Sequence, residues 1–231
     1  MGVCPSGAIR VLTPFQRQVA QLIGQALQPF GFALGGGQAL QAHKIVDRLS
    51  RDLDNYSESL DPQIYENAEH AVVTSMTGHG YTTAVMLRDS WFRQIIVTDP
   101  ATNEEVGIDL GYDFRKNPPV FITGIGPVLD IHDVVTGKVR ALVDRRAERD
   151  YIDIDAILGS GGWTVQSLLE ILREIRPELS PVDFADILSK ADEGDAEEYA
   201  ALGMTVTAMQ AMFSRLNARA GSIRAPGAAG A

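Results

Sequence analysis

Leu34-Gly35-Gly36-Gly37-Gln38-Ala39-Leu40, followed after a short interval by Arg48-Leu49-Ser50-Arg51-Asp52-Leu53-Asp54, is the stretch on which the reading of this chain turns. Three glycines stand between a short apolar segment and a helical pattern. Backbone amides at such a loop can approach a phosphate closely, and a following helix adds a favourable dipole. Asp52 and Asp54 are two residues apart. On a strand they point to one face while Leu53 enters the core. Side-by-side carboxylates repel unless a cation lies between them. Mg²⁺ prefers oxygen ligands and is commonly shared between carboxylates and substrate phosphates. That combination suits phosphoryl or nucleotidyl transfer. Glycine triplets are often plain turns and D-x-D recurs by chance, so the weight lies on the two together.

Working outward, Thr13-Pro14 opens a helix, with Thr as cap and Pro at the first position. Phe15, Val19, Leu22, Ile23 and Leu27 continue at helical spacing as far as Gln28. Gln38 to Val46 reads as helix, Ser50 to Asn55 as a short strand, and Asp61-Pro62 as the start of a helix to about Ser75. Tyr81–Leu87, Phe92–Thr98 and Glu105–Tyr112 read as strands, with a hairpin loop at Asp99–Glu104. Val120 to Thr123 is a further strand candidate. Beyond Asp133 the pattern is helical: Thr136–Arg149 continuing to Leu158, then Val165–Arg173, Pro181–Lys190 and Thr205–Arg219. The first ten residues and the Gly/Ala/Pro-rich tail after Ala220 read as disordered. There is no internal repeat.

Strands followed by helices fit an α+β class: a mixed sheet with helices over residues 1–130, a C-terminal helical bundle over 131–220, and a tail over 221–231. A cleft between the two parts would be a natural ligand site. The chain has 231 residues, 45% hydrophobic and 22% charged, enough for a core that needs no disulfide. Cys4 is the single cysteine and points to a reducing compartment. No apolar run approaches the ~20 residues that span a bilayer, and no signal peptide is evident. The expectation is a cytoplasmic protein without a membrane partner. The net charge of -10 argues against broad nucleic-acid binding, and no DNA partner is expected.

A third carboxylate is offered by Val106-Gly107-Ile108-Asp109-Leu110-Gly111. Asp109 faces opposite to Ile108 and Leu110, and the flanking glycines leave room for a ligand. A solvent-facing Asp is the alternative reading. Lys138, Arg145, Arg149 and Asp153 fall within a stripe of roughly 80° if the helix is continuous, with Ala141 beside it. Such a stripe is usually a solvated face. Here Leu142, Ile152 and Ile154 leave no clean opposite apolar face, and charges on an enclosed helix must be paired or bind something. Lys and Arg facing a carboxylate-bound metal would clamp a triphosphate. His43, His70, His79 and His132 lack metal-ligand spacing. Trp91 and Trp163 read as packing residues. Arg215, Arg219 and Arg224 make the C-terminal end basic, either an RNA contact or a solvated helix end.

These motifs resemble the AbiEii/AbiGii toxin family of nucleotidyltransferases, relatives of the DNA polymerase β-like fold, from Leu12 to about Leu216. The resemblance rests on Phe32-x-Leu34-x-Gly36-Gly37-x-Ala39-Leu40, on Arg48-x-Ser50-x-Asp52-x-Asp54, and on the block Lys138-x-x-Ala141-x-x-x-Arg145-x-x-x-Arg149-Asp150-x-x-Asp153. It implies a nucleotidyltransferase-like mixed sheet. It implies Asp52 and Asp54 as Mg²⁺ ligands (Mn²⁺ as an alternative), with Asp109 as the third carboxylate. Gly36 and Gly37 would form the phosphate loop, Gln38 and Ser50 would be further nucleotide-binding residues, and Lys138 would be a catalytic phosphate contact. Arg145, Arg149, Asp150 and Asp153 would shape the nucleotide site. Many members have Ser or Thr where this chain has Gln38, whose longer reach changes the geometry. The implied activity is transfer of a nucleoside monophosphate from an NTP to an acceptor hydroxyl, the acceptor being RNA such as a tRNA 3′ end. The implied role is that of a toxin in a toxin–antitoxin or phage-defence system, beside a cognate antitoxin. Transfer to a protein hydroxyl, and a degenerate nucleotide-binding module, are the rival readings.

Overall fold

Thr13 caps the first helix as its sequence dictates. Its Oγ1 accepts the Gln16 N–H at 3.1 Å, and Gln16 Oε1 accepts the Thr13 N–H at 3.0 Å. Pro14 opens α1 (Pro14–Leu27), whose buried face is Phe15, Val19, Ala20, Ile23 and Leu27. The structure is a computed structural model that describes residues 13–48, 50 and 52–225. The expectations for Cys4, for the first ten residues and for the last six lie outside the described residues.

A 3-10 turn at Gln28–Phe30 and a left-handed Gly31 lead into β1 (Ala33–Leu34). Then follow α2 (Gly36–Ala42), β2 (Asp52–Ser57), α3 (Pro62–Gly78), β3 (Thr82–Asp89), β4 (Phe92–Thr98) and β5 (Glu105–Tyr112). β6 (Val120–Ile122) and β7 (Gly126–Val128) complete the sheet, ordered β3-β4-β5-β2-β1-β7-β6. β2 runs parallel to β5 and β1 parallel to β7, while the other pairs are antiparallel. The parallel β2–β5 pair needs the crossover that α3 and the β3–β4 hairpin supply. Leu53, Ile95, Val97, Ile108 and Leu110 share one face of the sheet and are fully buried. α1 and α3 pack on each other and against strands of this sheet. Asp61 caps α3 through Gln63 N at 3.0 Å. The hairpin loop at 99–104 places Asn103 at φ 58, a conformation Asn tolerates.

The chain forms two compact units. Among the described residues, the first holds those up to Arg115 together with Pro119–Val128; the second holds Lys116–Pro118 and those from Leu129 onward. The second unit is helical: α4 (Ile131–Asp144), α5 (Glu148–Gly159), α6 (Val165–Ile175), α7 (Pro181–Ser189), α8 (Ala196–Ala201) and α9 (Val206–Arg224). Asp133 anchors its short N-terminal piece, accepting the N–H groups of Lys116 and Asn117 at 2.8 and 2.9 Å.

Three expectations are corrected here. The helix expected to run from Thr136 through Arg149 to Leu158 is two helices. Arg146 sits at φ 56, and a left-handed residue ends the α-helical ladder. Residues 221–224 are not tail but the end of α9, helical to Arg224. Arg215 and Arg219 both donate to Asp155 on α5, and Arg224 donates to Asp186 on α7. Trp91 is also less packed than expected: it is 47% exposed, with its Nε1 donating to the Leu60 carbonyl at 2.8 Å. Among the described residues no helix is long and apolar enough to cross a membrane.

Candidate active site

The sheet face opposite the buried one carries three cross-strand rows. Asp54 on β2 pairs with Asp109 on β5, and Asp109 with Gln94 on β4. One repeat toward the N-terminus of β2, Asp52, Gly107 and Ile96 are in line. One repeat the other way, Tyr56, Gly111 and Phe92 are in line. The alternation that buries Leu53, Ile108 and Leu110 puts all three aspartates on one surface.

Glycine makes this packing possible. A Cβ on Gly107 would stand 2.3 Å from Asp52 Oδ1, so the Asp52 carboxylate lies over the bare backbone of the next strand. Gly36 has φ +60, and a Cβ there would stand 1.8 Å from Asp54 Oδ2. The Gly35 N–H donates to the Asp54 carbonyl at 2.7 Å. The glycine loop is therefore seated on Asp54 by both backbone and side chain. At Gly37 a Cβ would meet Arg48 Nη2 at 2.8 Å and Ser50 Oγ at 3.1 Å. Ser50 thus lies beside the loop, as expected, and so does the buried Arg48. Arg48 was quoted in the motif but given no role.

Gln38 is 2% exposed. Its Nε2 donates to the Ser50 carbonyl at 3.2 Å, and Gln16 Nε2 donates to the same oxygen at 3.0 Å. Gln38 Oε1 is buried without a hydrogen-bond partner. Gln38 therefore braces the segment that carries Asp52.

Asp109 is the electrostatically loaded member of the trio. Burial, then the charges of Asp54 and Asp52, push its carboxyl up to about 6, against a side-chain hydrogen bond from Gln94. Its Oδ1 is buried with no hydrogen-bond partner. Gln94 is a second residue that sequence reasoning missed; cross-strand register alone brings it to Asp109.

These oxygens suit a hard divalent cation, which binds carboxylates and keeps positions for water and phosphate. The orphaned Asp109 oxygen is what such an ion would satisfy. Among the described residues no three His, Cys, Asp or Glu side chains are already drawn together around a common metal position.

The second charged block lies in the helical unit. Lys138 Nζ reaches Asp153 Oδ2 at 2.8 Å, with both side chains buried. Arg145, the C-terminal cap of α4, grips Asp150 with Nε at 2.8 Å and Nη2 at 2.7 Å. Asp150 Oδ2 also accepts the Ala147 N–H at 3.2 Å. Arg149 is exposed on α5. The break at Arg146 removes the single-helix stripe expected of Lys138, Arg145, Arg149 and Asp153. The helices α4 and α5 meet instead through the buried Lys138–Asp153 pair and the half-exposed Arg145–Asp150 pair.

A family model of the AbiEii toxin, a nucleotidyl transferase of type IV toxin–antitoxin systems, matches residues 23–215. The chain belongs to the AbiEii family. It is thus a nucleotidyltransferase, of a family of toxins whose systems include a cognate antitoxin. Two Helicobacter pylori crystal structures share the AbiEii chain's fold. JHP933 is 18% identical, covers 92% of this chain and 93% of its own, and superposes with a TM-score of 0.59. The other, a presumed nucleotidyltransferase, is 17% identical over 89% of this chain and 92% of its own, with a TM-score of 0.53. No curated protein matches the AbiEii chain.

Proposed function

We propose that this AbiEii chain transfers a nucleoside monophosphate from an NTP to the hydroxyl of an RNA acceptor, the 3′ end of a tRNA, as a cytoplasmic toxin held in check by an antitoxin. The observation that carries the reading is the seating of Gly36 on Asp54 beside Asp109. It places a bare backbone loop, able to cradle phosphates, against the carboxylates. Asp52, Asp54 and Asp109 would hold Mg²⁺ or Mn²⁺, which neutralises the phosphates and lowers the pKa of an oxygen bound to it.

The loop at Gly36 and Gly37, with Ser50 beside it, would receive the phosphates. The acceptor oxygen forms its bond to the α-phosphorus, the α–β bridging bond breaks, and pyrophosphate leaves. Asp109 takes the acceptor's proton. Lys138, Arg145, Arg149, Asp150 and Asp153 keep the nucleotide-binding role that the resemblance implies. Lys138 and Asp153 are both buried, and Asp153 orients the ammonium.

The test is incubation with each α-labelled NTP, Mg²⁺, and total RNA and protein from cells. Label is expected in a tRNA-sized band with the native chain and not with Asp54→Asn. Label on protein instead would replace the RNA acceptor by a protein hydroxyl. NTP binding with no transfer to either would replace the enzyme reading by a degenerate binding module.

A further inference from the structure

The rows of the aspartate face extend past the carboxylates. Next along the strands from Asp54–Asp109 stands Gly111, in register with Tyr56 on one side and Phe92 on the other. A Cβ on Gly111 would stand 3.3 and 3.4 Å from Tyr56 Cε1 and Cδ1, and 3.7 Å from Phe92 Cδ2. Two rings from two strands therefore flank a single bare glycine. The opposite face buries Leu53, Ile95, Ile108 and Leu110 completely, whereas Tyr56 and Phe92 are half-exposed.

Position decides what such rings could hold. The glycine loop follows β1 and sits on Asp54, at the β1 side of the carboxylates. Gly111 and Phe92 lie toward β5 and β4, on the Asp109 side. A nucleotide whose phosphates occupy the loop leaves the Asp109 side to the incoming acceptor. The shelf stands one strand repeat of about 7 Å from the Asp109 row, roughly the distance from a nucleobase to its own ribose hydroxyls.

We infer that Tyr56 and Phe92 form a stacking shelf for the terminal, unpaired nucleobase of an RNA acceptor, setting its ribose hydroxyl toward Asp109. This inference rests on the transfer reading above and specifies its acceptor. The 3′ terminus is the point in an RNA where no phosphate need face Asp54 and Asp109. Aromatic stacking is open to every base, because every base has a π-face.

The experiment measures binding of a short unstructured RNA and of the same RNA with an abasic 3′-terminal residue, by fluorescence anisotropy, alongside NTP binding. The native chain is expected to prefer the intact end by about tenfold or more. Phe92→Leu, which keeps apolar bulk, and Tyr56→Ala lose that preference, while Tyr56→Phe retains it and NTP affinity stays unchanged in all three. Melting curves establish that each variant is folded. Equal binding of intact and abasic ends by the native chain, or full preference in Phe92→Leu, overturns the shelf. A loss of NTP affinity in Phe92→Leu overturns it too, by giving the rings to the nucleotide. Absence of transfer to RNA by a native chain that still prefers the intact end rejects the transfer reading and leaves the shelf standing.

Discussion

At the residue scale the site is governed by what glycine permits and what aspartate resists. Gly36→Ala must place a methyl group inside the Asp54 carboxylate and strain a left-handed backbone. The expected result is loss of nucleotide transfer and a fall in stability of about 1–3 kcal/mol, read from urea unfolding. Asp109 makes a prediction with a definite sign. Its carboxyl titrates at about 6 in the folded chain, against an ordinary value of 3.8. Between those pH values the unfolded chain has released a proton that the folded chain keeps, so stability falls as pH rises through the window and stays lowered above it. Asp109→Asn should therefore melt higher than the native chain at pH 7 without divalent cations. The gain is on the order of 1 kcal/mol, since solvent screens the half-exposed group. The difference should vanish below about pH 4, and Mg²⁺ should raise the melting temperature of the native chain but not of the variant.

At the scale of elements, α4 and α5 are joined by charge. Removing the Asp153 carboxylate with Asp153→Ala leaves the Lys138 ammonium buried without its partner. A loss of about 3–5 kcal/mol is expected. The double variant Lys138→Met, Asp153→Leu should recover most of that stability while remaining inactive. Recovery of stability together with activity would remove Lys138 from the nucleotide site. The elements also separate what sequence discloses from what it hides. Capped helices and alternating strands were legible because their signals are local: Thr13-Pro14, Asp61-Pro62 and the β3–β5 alternation each speak for themselves. The carboxylate motif was legible because strand period 2 places Asp52 and Asp54 together. The split of α4 from α5 was not, since Arg146 gives no sign of its left-handed backbone. Nor were Gln94 and Arg48 as neighbours of the site, because only sheet register and loop packing bring them there.

For the whole molecule, the thirty acidic residues against twenty basic ones leave little to attract phosphate. The arginines of α9 are already engaged with Asp155 and Asp186. RNA binding should accordingly be weakly salt-dependent. A protein making 6–10 phosphate contacts loses about 10³–10⁵ in affinity between 50 and 200 mM salt. This chain is expected to lose less than about tenfold, measured as anisotropy against salt. The parallel pairing of β2 with β5 has a consequence for how such a chain can change over generations. The crossover between the strands can absorb insertions and deletions, because loop length costs little free energy. Within β5 a single inserted or deleted codon ahead of Asp109 would exchange the strand's two faces, sending Asp109 inward and Ile108 or Leu110 outward. Variation in length among descendants of this gene should therefore gather in the hairpin and crossover, while the reading frame of the strand stays locked to the chemistry it carries.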